Sequence, residues 1–213
     1  MDIVVLISGS GTNLQAIIEA IEAGHIQGRI AAVISNRPQA KGLTRARNHG
    51  IETLILDHTG YGTREAFDAD LLQAIEQYQP GLVVLAGFMR ILTDHFVDHF
   101  TGRMLNIHPS LLPKYKGLNT HQRVLDAGES QHGCSVHFVS SELDSGAVIG
   151  QSKVNIARND TAQSLSQKVQ QQEHTLYPAC VALFCDHQIH LTPDGVQYQG
   201  SILPDNGLDL TED

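Results

Sequence analysis

Five short apolar runs, most of them passing through a turn into a helix-like stretch, constrain this chain more than any other feature. They lie at 3–7, 30–34, 53–56, 82–86 and 104–107. Each is too short for a buried helix and does not alternate with polar residues, as a half-exposed strand would. Such runs suit strands covered on both faces, the condition of a parallel sheet. Helical periodicity follows at 14–21, up to about 49, and at about 64–78. Thr12 and Asn13 stand as helix-start residues for the first of these. Strand–helix alternation means βαβ units, hence an α/β fold with a mainly parallel twisted sheet and helices on both faces.

The second half reads differently. Residues 134–139 alternate, 147–156 form another extended run, and the loop between them is polar. Asn159-Asp160-Thr161 can cap a long helix reaching about 184, and a hairpin turning at Thr192-Pro193-Asp194-Gly195 follows. The C-terminal part is thus expected to add antiparallel strands and a long helix. With 213 residues and neither linker nor repeat, the expectation is one domain over 1–213, with 204–213 a flexible acidic tail.

Hydrophobic residues make up 41% and charged residues 17%, enough apolar matter for a sizeable core. The net charge of −9 disfavours nucleic acid and anionic membranes as partners, leaving small molecules. Oligomeric state stays open between monomer and homodimer. Cys134, Cys180 and Cys185 fit neither a disulfide framework nor a zinc site. No apolar run is long enough to span a membrane, and Met1-Asp2 leads straight into a strand. The expected location is the cytoplasm, and no metal is expected.

Chemistry concentrates after the fifth run, in Asn106-Ile107-His108-Pro109-Ser110-Leu111-Leu112-Pro113. Asn106 and His108, two apart on an extended segment, point the same way and can aim two donors at one oxygen. A carboxylate is needed to keep the imidazole charged, and Asp144 is the candidate. A turn-forming Asp before Ser-Gly would look the same. Ser110 lacks a nucleophile elbow, which disfavours a serine hydrolase. Ser8-Gly9-Ser10-Gly11-Thr12-Asn13 forms a strand–turn–helix loop of the kind that holds anions, or an ordinary βα turn. Neither a dinucleotide fingerprint nor a phosphate-loop lysine is present. Glu173 falls on the apolar stripe of Leu165, Val169, Leu176 and Cys180, either as a buried acceptor suited to a diol or as a surface residue on a rotated helix. The segment 87–92 is apolar where a loop should be polar, fitting a pocket wall or a buried connection.

Together these pieces resemble the folate-dependent formyltransferases, over nearly the whole chain. The resemblance rests on 8–14, 86–92, 106–113, on Ser135-Val136-His137-Phe138-Val139 leading to Asp144, and on Glu173-His174 before Tyr177-Pro178. It is similar in particular to the branch that formylates phosphoribosylglycinamide in purine biosynthesis, with 10-formyltetrahydrofolate as co-substrate. The resemblance implies that Asn106, a protonated His108 and Asp144 are catalytic. It implies that Gly11, Thr12 and Asn13 hold the substrate phosphate and Glu173 the ribose. Folate would meet Arg64, Met89, Arg90, Ile91, Leu92, Asn106, Ser140, Ser141, Leu143 and Asp144. Leu112-Pro113 would be a cis bond. Asn119, Lys116 and Gly150 depart from the family pattern, which often has His, Pro and a larger apolar residue there. A formyltetrahydrofolate hydrolase or a non-catalytic folate- or nucleotide-binding module are the alternatives.

Overall fold

The computed structural model describes residues 1–211. The chain divides into two compact units, the first Met1–Asn106 and the second beginning at Ile107.

In the first unit, β1 (Asp2–Ile7) lies at the centre, parallel to β2 (Arg29–Ser35) on one side and β4 (Leu82–Leu85) on the other. β3 (Thr53–Ile55) extends the sheet beyond β2, and β5 (Met104–His108) pairs parallel with β4 through Asn106. The order β5-β4-β1-β2-β3 is parallel throughout. The covered-run argument holds at its strictest in β1, where Ile3, Val4, Val5, Leu6 and Ile7 are all fully buried. Three helices alternate with these strands: α1 (Thr12–Glu22), α2 (Lys41–Asn48) and α3 (Arg64–Glu76). α3 starts where Thr63 accepts from the Ala66 amide at 3.1 Å, a side-chain cap. α4 (Asp94–His99) begins on Thr93 in the same manner, although the bond is longer at 3.4 Å.

α1 starts otherwise. Its cap is Gly11, left-handed at φ 71°, and no side chain caps the helix. A Cβ there would meet the Gly42 Cα at 2.6 Å, so both the backbone angle and the approach of α2 require glycine. The helix therefore begins at Thr12 without Thr12 or Asn13 acting as cap.

In the second unit, β6 (Gln131–Phe138) and β7 (Val148–Asn155) form an antiparallel pair, and α6 (Ala162–Cys185) packs on both. α5 (Thr120–Asp126) contacts α6. Thr161 and Ser164 form a reciprocal capping box, as the polar run before the helix requires. β8 (Ile189–Thr192) and β9 (Gly195–Tyr198) make the expected hairpin, with β10 (Ser201–Ile202) added to its edge.

Leu208–Asp209 form β11, parallel to β7, with Leu208 opposite Gly150. A Cβ at Gly150 would lie 3.3 Å from Leu210 Cδ1 and 3.4 Å from the Leu208 carbonyl oxygen. Part of the segment expected as a tail thus packs closely against the glycine at position 150. The last two positions of that expected tail, 212 and 213, lie outside the described residues. Cys134, Cys180 and Cys185 are buried free thiols, and burial pushes Cys185 up to about 11.

Candidate functional site

His108 ends β5 with its side chain almost wholly buried, and its two ring nitrogens face different acceptors. Nδ1 lies 3.3 Å from Asp144 Oδ2, with both side chains less than a tenth exposed. Nε2 lies 2.9 Å from the Tyr115 carbonyl oxygen. A carbonyl only accepts, so Nε2 carries a proton. A carboxylate on the other side gives a second proton on Nδ1 a partner, and the imidazolium fits both at once. The pairing of His108 with Asp144, which local spacing could not decide, is thus made by the fold.

Asp144 is itself held. It sits left-handed at φ 49°, a conformation that Asp tolerates better than most residues. Its Oδ2 also accepts the Gly117 amide at 2.9 Å. Its Oδ1 lies 3.9 Å from Nε2 of His137, a residue that motif reasoning did not put in the site. His137 is buried and its Nδ1 contacts the Phe138 carbonyl at 2.9 Å. Burial holds its imidazole below the usual histidine range, against the opposing pull of the Phe138 carbonyl and Asp144. The signal was available. Ser135 and His137 occupy one face of β6, and polar residues on a strand buried from His132 to Phe138 require polar partners.

Two more histidines belong to this neighbourhood. His121 Nδ1 and His132 Nε2 lie 3.0 Å apart, so one donates and the other accepts. Burial pushes His132 down to about 4, helped by the charges of His121 and His108, and lowers His121 as well. His108 thus stands among imidazoles kept neutral.

The loop after His108 contains the cis Leu112-Pro113 bond. Ser110 is fully buried and donates to the Lys114 carbonyl at 2.7 Å, a structural use rather than a nucleophile's. Asn119 is left-handed at φ 57° at the start of α5, with no capping bond from its side chain. Lys116 contacts Glu142 at 3.3 Å and Ser145, linking its loop to the one that carries Asp144.

Of the expected folate-contacting residues, Ser140, Ser141, Leu143 and Asp144 lie in the loop between β6 and β7. Ser140 donates to the Glu142 carbonyl at 3.1 Å, and Leu143 is half exposed. In the first unit, the segment after β4 divides. Phe88 and Leu92 point inward, whereas Met89 and Ile91 are 65% and 59% exposed. The buried connection describes Phe88 and Leu92, while Met89 and Ile91 stay exposed. Large exposed apolar side chains beside a strand end suit a flat apolar ligand. Arg90 stacks on Phe67 with its Cζ 4.5 Å from the ring centroid, and Arg64 opens α3. Ser8 fixes this segment, accepting the Met89 amide at 2.8 Å while donating to Asn36 at 2.6 Å.

Gly11, Thr12 and Asn13 form the uncapped start of α1, where backbone dipoles favour an anion. Glu173 is buried on α6, on the stripe of Leu165, Val169, Leu176 and Cys180, and not on a rotated surface face. Among the described residues, no group of His, Cys, Asp or Glu is arranged to hold a metal, and no helix is long and apolar enough to cross a membrane.

Comparison with known proteins identifies the family. The formyl transferase profile matches residues 1–181. Phosphoribosylglycinamide formyltransferase of Escherichia coli (strain K12) is 49% identical over 212 residues, covering 100% of both chains. That of Haemophilus influenzae is 42% identical over 205 residues, covering 96% of this chain and 97% of the relative. The phosphoribosylglycinamide formyltransferase structure from Coxiella burnetii, a complex with CHES, superposes with a TM-score of 0.94 at 48% identity, covering 98% of each chain. The fold is the mostly parallel, Rossmann-like arrangement of these relatives. The chain belongs to the formyl transferase family.

Proposed function

We propose that this formyl transferase family member carries the formyl group of 10-formyltetrahydrofolate to the amine of phosphoribosylglycinamide, in purine biosynthesis, through three residues. The observation that carries the reading is His108 Nδ1 at 3.3 Å from a buried Asp144 carboxylate, at the end of a strand that also bears Asn106.

Asn106 and His108 would donate to the formyl oxygen as it gains negative charge, and so stabilise the tetrahedral intermediate. They are two residues apart on β5, so their side chains share one face. Asp144 would keep the imidazole charged while that proton is shared. The Nε2 proton of His108 would be shared between the Tyr115 carbonyl that orients the ring and the substrate oxygen, while Asp144 stays on Nδ1. Donors of this kind act where charge develops, so they lower the barrier more than they tighten ground-state binding. Collapse of the intermediate would break the bond between the formyl carbon and N10; N10 would take a proton from His108 Nε2 or from water, and the proton lost by the attacking amine would replace it. No covalent enzyme intermediate is needed.

The remaining roles follow the residues. Gly11, Thr12 and Asn13 would take the phosphate, and Glu173 the ribose hydroxyls. Met89, Arg90, Ile91 and Leu92 would line the pterin, with Ser140, Ser141, Leu143 and Asp144 closing on it and Arg64 near the glutamate tail. The two compact units would act as one domain. The family match running across residue 106 supports that. The enzyme would work in the cytoplasm on small molecules, without nucleic acid.

The test is tetrahydrofolate release from 10-formyltetrahydrofolate, followed by absorbance with and without phosphoribosylglycinamide. Release that depends on the glycinamide, with formylated product, is expected. Release without it would mean a hydrolase. His108→Ala and Asn106→Ala should each lower kcat on the order of 10²–10³ with folate affinity little changed. Weaker folate binding at unchanged kcat would refute the donor roles.

A further inference from the structure

Ser135 and Gln151 are buried polar side chains, at 0% and 4% exposure, that face each other across β6 and β7. Their hydrogen bonds converge on the loop that follows His108. The Ser135 hydroxyl donates to the Ser110 carbonyl at 2.7 Å and accepts the Leu112 amide at 3.0 Å. It also accepts from Gln151 Nε2 at 2.9 Å. One donated and two accepted bonds exhaust what a hydroxyl can do. Gln151 Nε2 spends its other proton on the Leu112 carbonyl at 2.8 Å. Both backbone groups of Leu112 and the carbonyl of Ser110 therefore end on this pair.

The loop carries that frame onward. The Ser110 amide donates to the His108 carbonyl at 2.9 Å, and the Lys114 amide to the Leu111 carbonyl at 3.1 Å. The Ser110 hydroxyl closes on the Lys114 carbonyl at 2.7 Å. The next residue is Tyr115, whose carbonyl holds His108 Nε2. Leu111 is seated by shape as well. A Cβ on Gly133 would come within 2.8 Å of its Cδ2.

We infer that Ser135 and Gln151 are positioning residues for formyl transfer, fixing residues 110–115 and, through the Tyr115 carbonyl, the orientation of the His108 ring. This rests on the reading of His108 as an oxyanion donor. Their bonds replace the sheet ladder that the chain gives up when it leaves β5, in a place where water cannot supply partners. A purely structural pair would change how many molecules fold, not how fast a folded one turns over. A positioning pair changes turnover, because small displacements of a catalytic group are costly.

Ser135→Ala removes a single oxygen. Gln151→Met keeps the side-chain length and removes both donors. Each is made in the full chain, and its binding-competent concentration is taken from calorimetric titration with phosphoribosylglycinamide, so partial unfolding does not enter the rate. The expected result is kcat per competent site lower by at least about tenfold, with both KM values within about threefold. Unchanged kcat per competent site in both variants, or a loss carried by KM alone, overturns the inference. If the wild-type chain shows no glycinamide-dependent release, or His108→Ala keeps full activity, the functional reading fails instead. A wild type that needs His108 but is indifferent at Ser135 and Gln151 sinks only the positioning role.

Discussion

Acidification should unfold this protein through a buried histidine pair before its carboxylates respond. His132 is 2% exposed and held at about 4, against an ordinary value of 6.5, because burial disfavours its charged form. Between those two values the unfolded chain takes up a proton that the folded chain refuses. The unfolded state is therefore favoured progressively as pH falls, and the loss levels off near the folded value. From about pH 7.5 to about pH 5, this one group should cost roughly 2 kcal/mol. His121 and His137 are lowered too, so they add to the loss with the same sign. The contact between His121 and His132 adds to the effect of burial, since charging both rings would set N–H against N–H at 3.0 Å. The charged-carboxylate contributions lie lower, with Asp160 and Asp209 each held to about 2. The assay is urea denaturation of the wild type and His132→Gln across this range. Gln can hydrogen bond in the same place and cannot take a charge. The wild type should lose more stability than the variant, by roughly 2 kcal/mol at about pH 5. Parallel curves for the two proteins, or a wild type stabilised by acid, would refute the reasoning.

Two further outcomes are expected at the site. Glu173→Gln should raise KM for phosphoribosylglycinamide by about tenfold or more, the worth of a hydrogen bond to a buried carboxylate, and leave the folate KM alone. A shift in the folate KM instead would place Glu173 elsewhere. Gly146→Ala should lower both melting temperature and kcat, because its Cβ would sit 1.7 Å from the Phe138 carbonyl oxygen and the loop bearing Asp144 would have to move. Wild-type kcat and melting temperature in that variant would show that the loop yields freely.

Much of the fold was legible because its signals are local. The strands at 3–7, 82–86 and 104–107 appear within a residue or two, since a strand covered on both faces must be apolar throughout. The long helix appears with its cap because the Thr161–Ser164 box is written in adjacent residues. The short strand in the C-terminal segment was not legible, because two residues carry no periodicity of their own. Leu208–Asp209 pair with β7 where Gly150 offers no side chain, a contact distant in sequence. Exposed Met89 and Ile91 beside buried Phe88 and Leu92 split an apolar run that composition alone could not divide.

By itself the sequence determined the alternation of strands and helices, the pairing of Asn106 with His108 on one strand, and the apolar stripe on which Glu173 falls, though not whether Glu173 is buried. All are set by periodicity, which the chain carries in neighbouring residues. Only the tertiary structure decided that Asp144 backs His108, that His137 stands behind Asp144, and that Ser135 and Gln151 hold the intervening loop. Those partners are far apart along the chain and meet only because β6 and β7 pair in one register. Register is fixed by burial and hydrogen bonding across the whole pair. No residue reports it locally, which is why the chemistry was legible and its geometry was not.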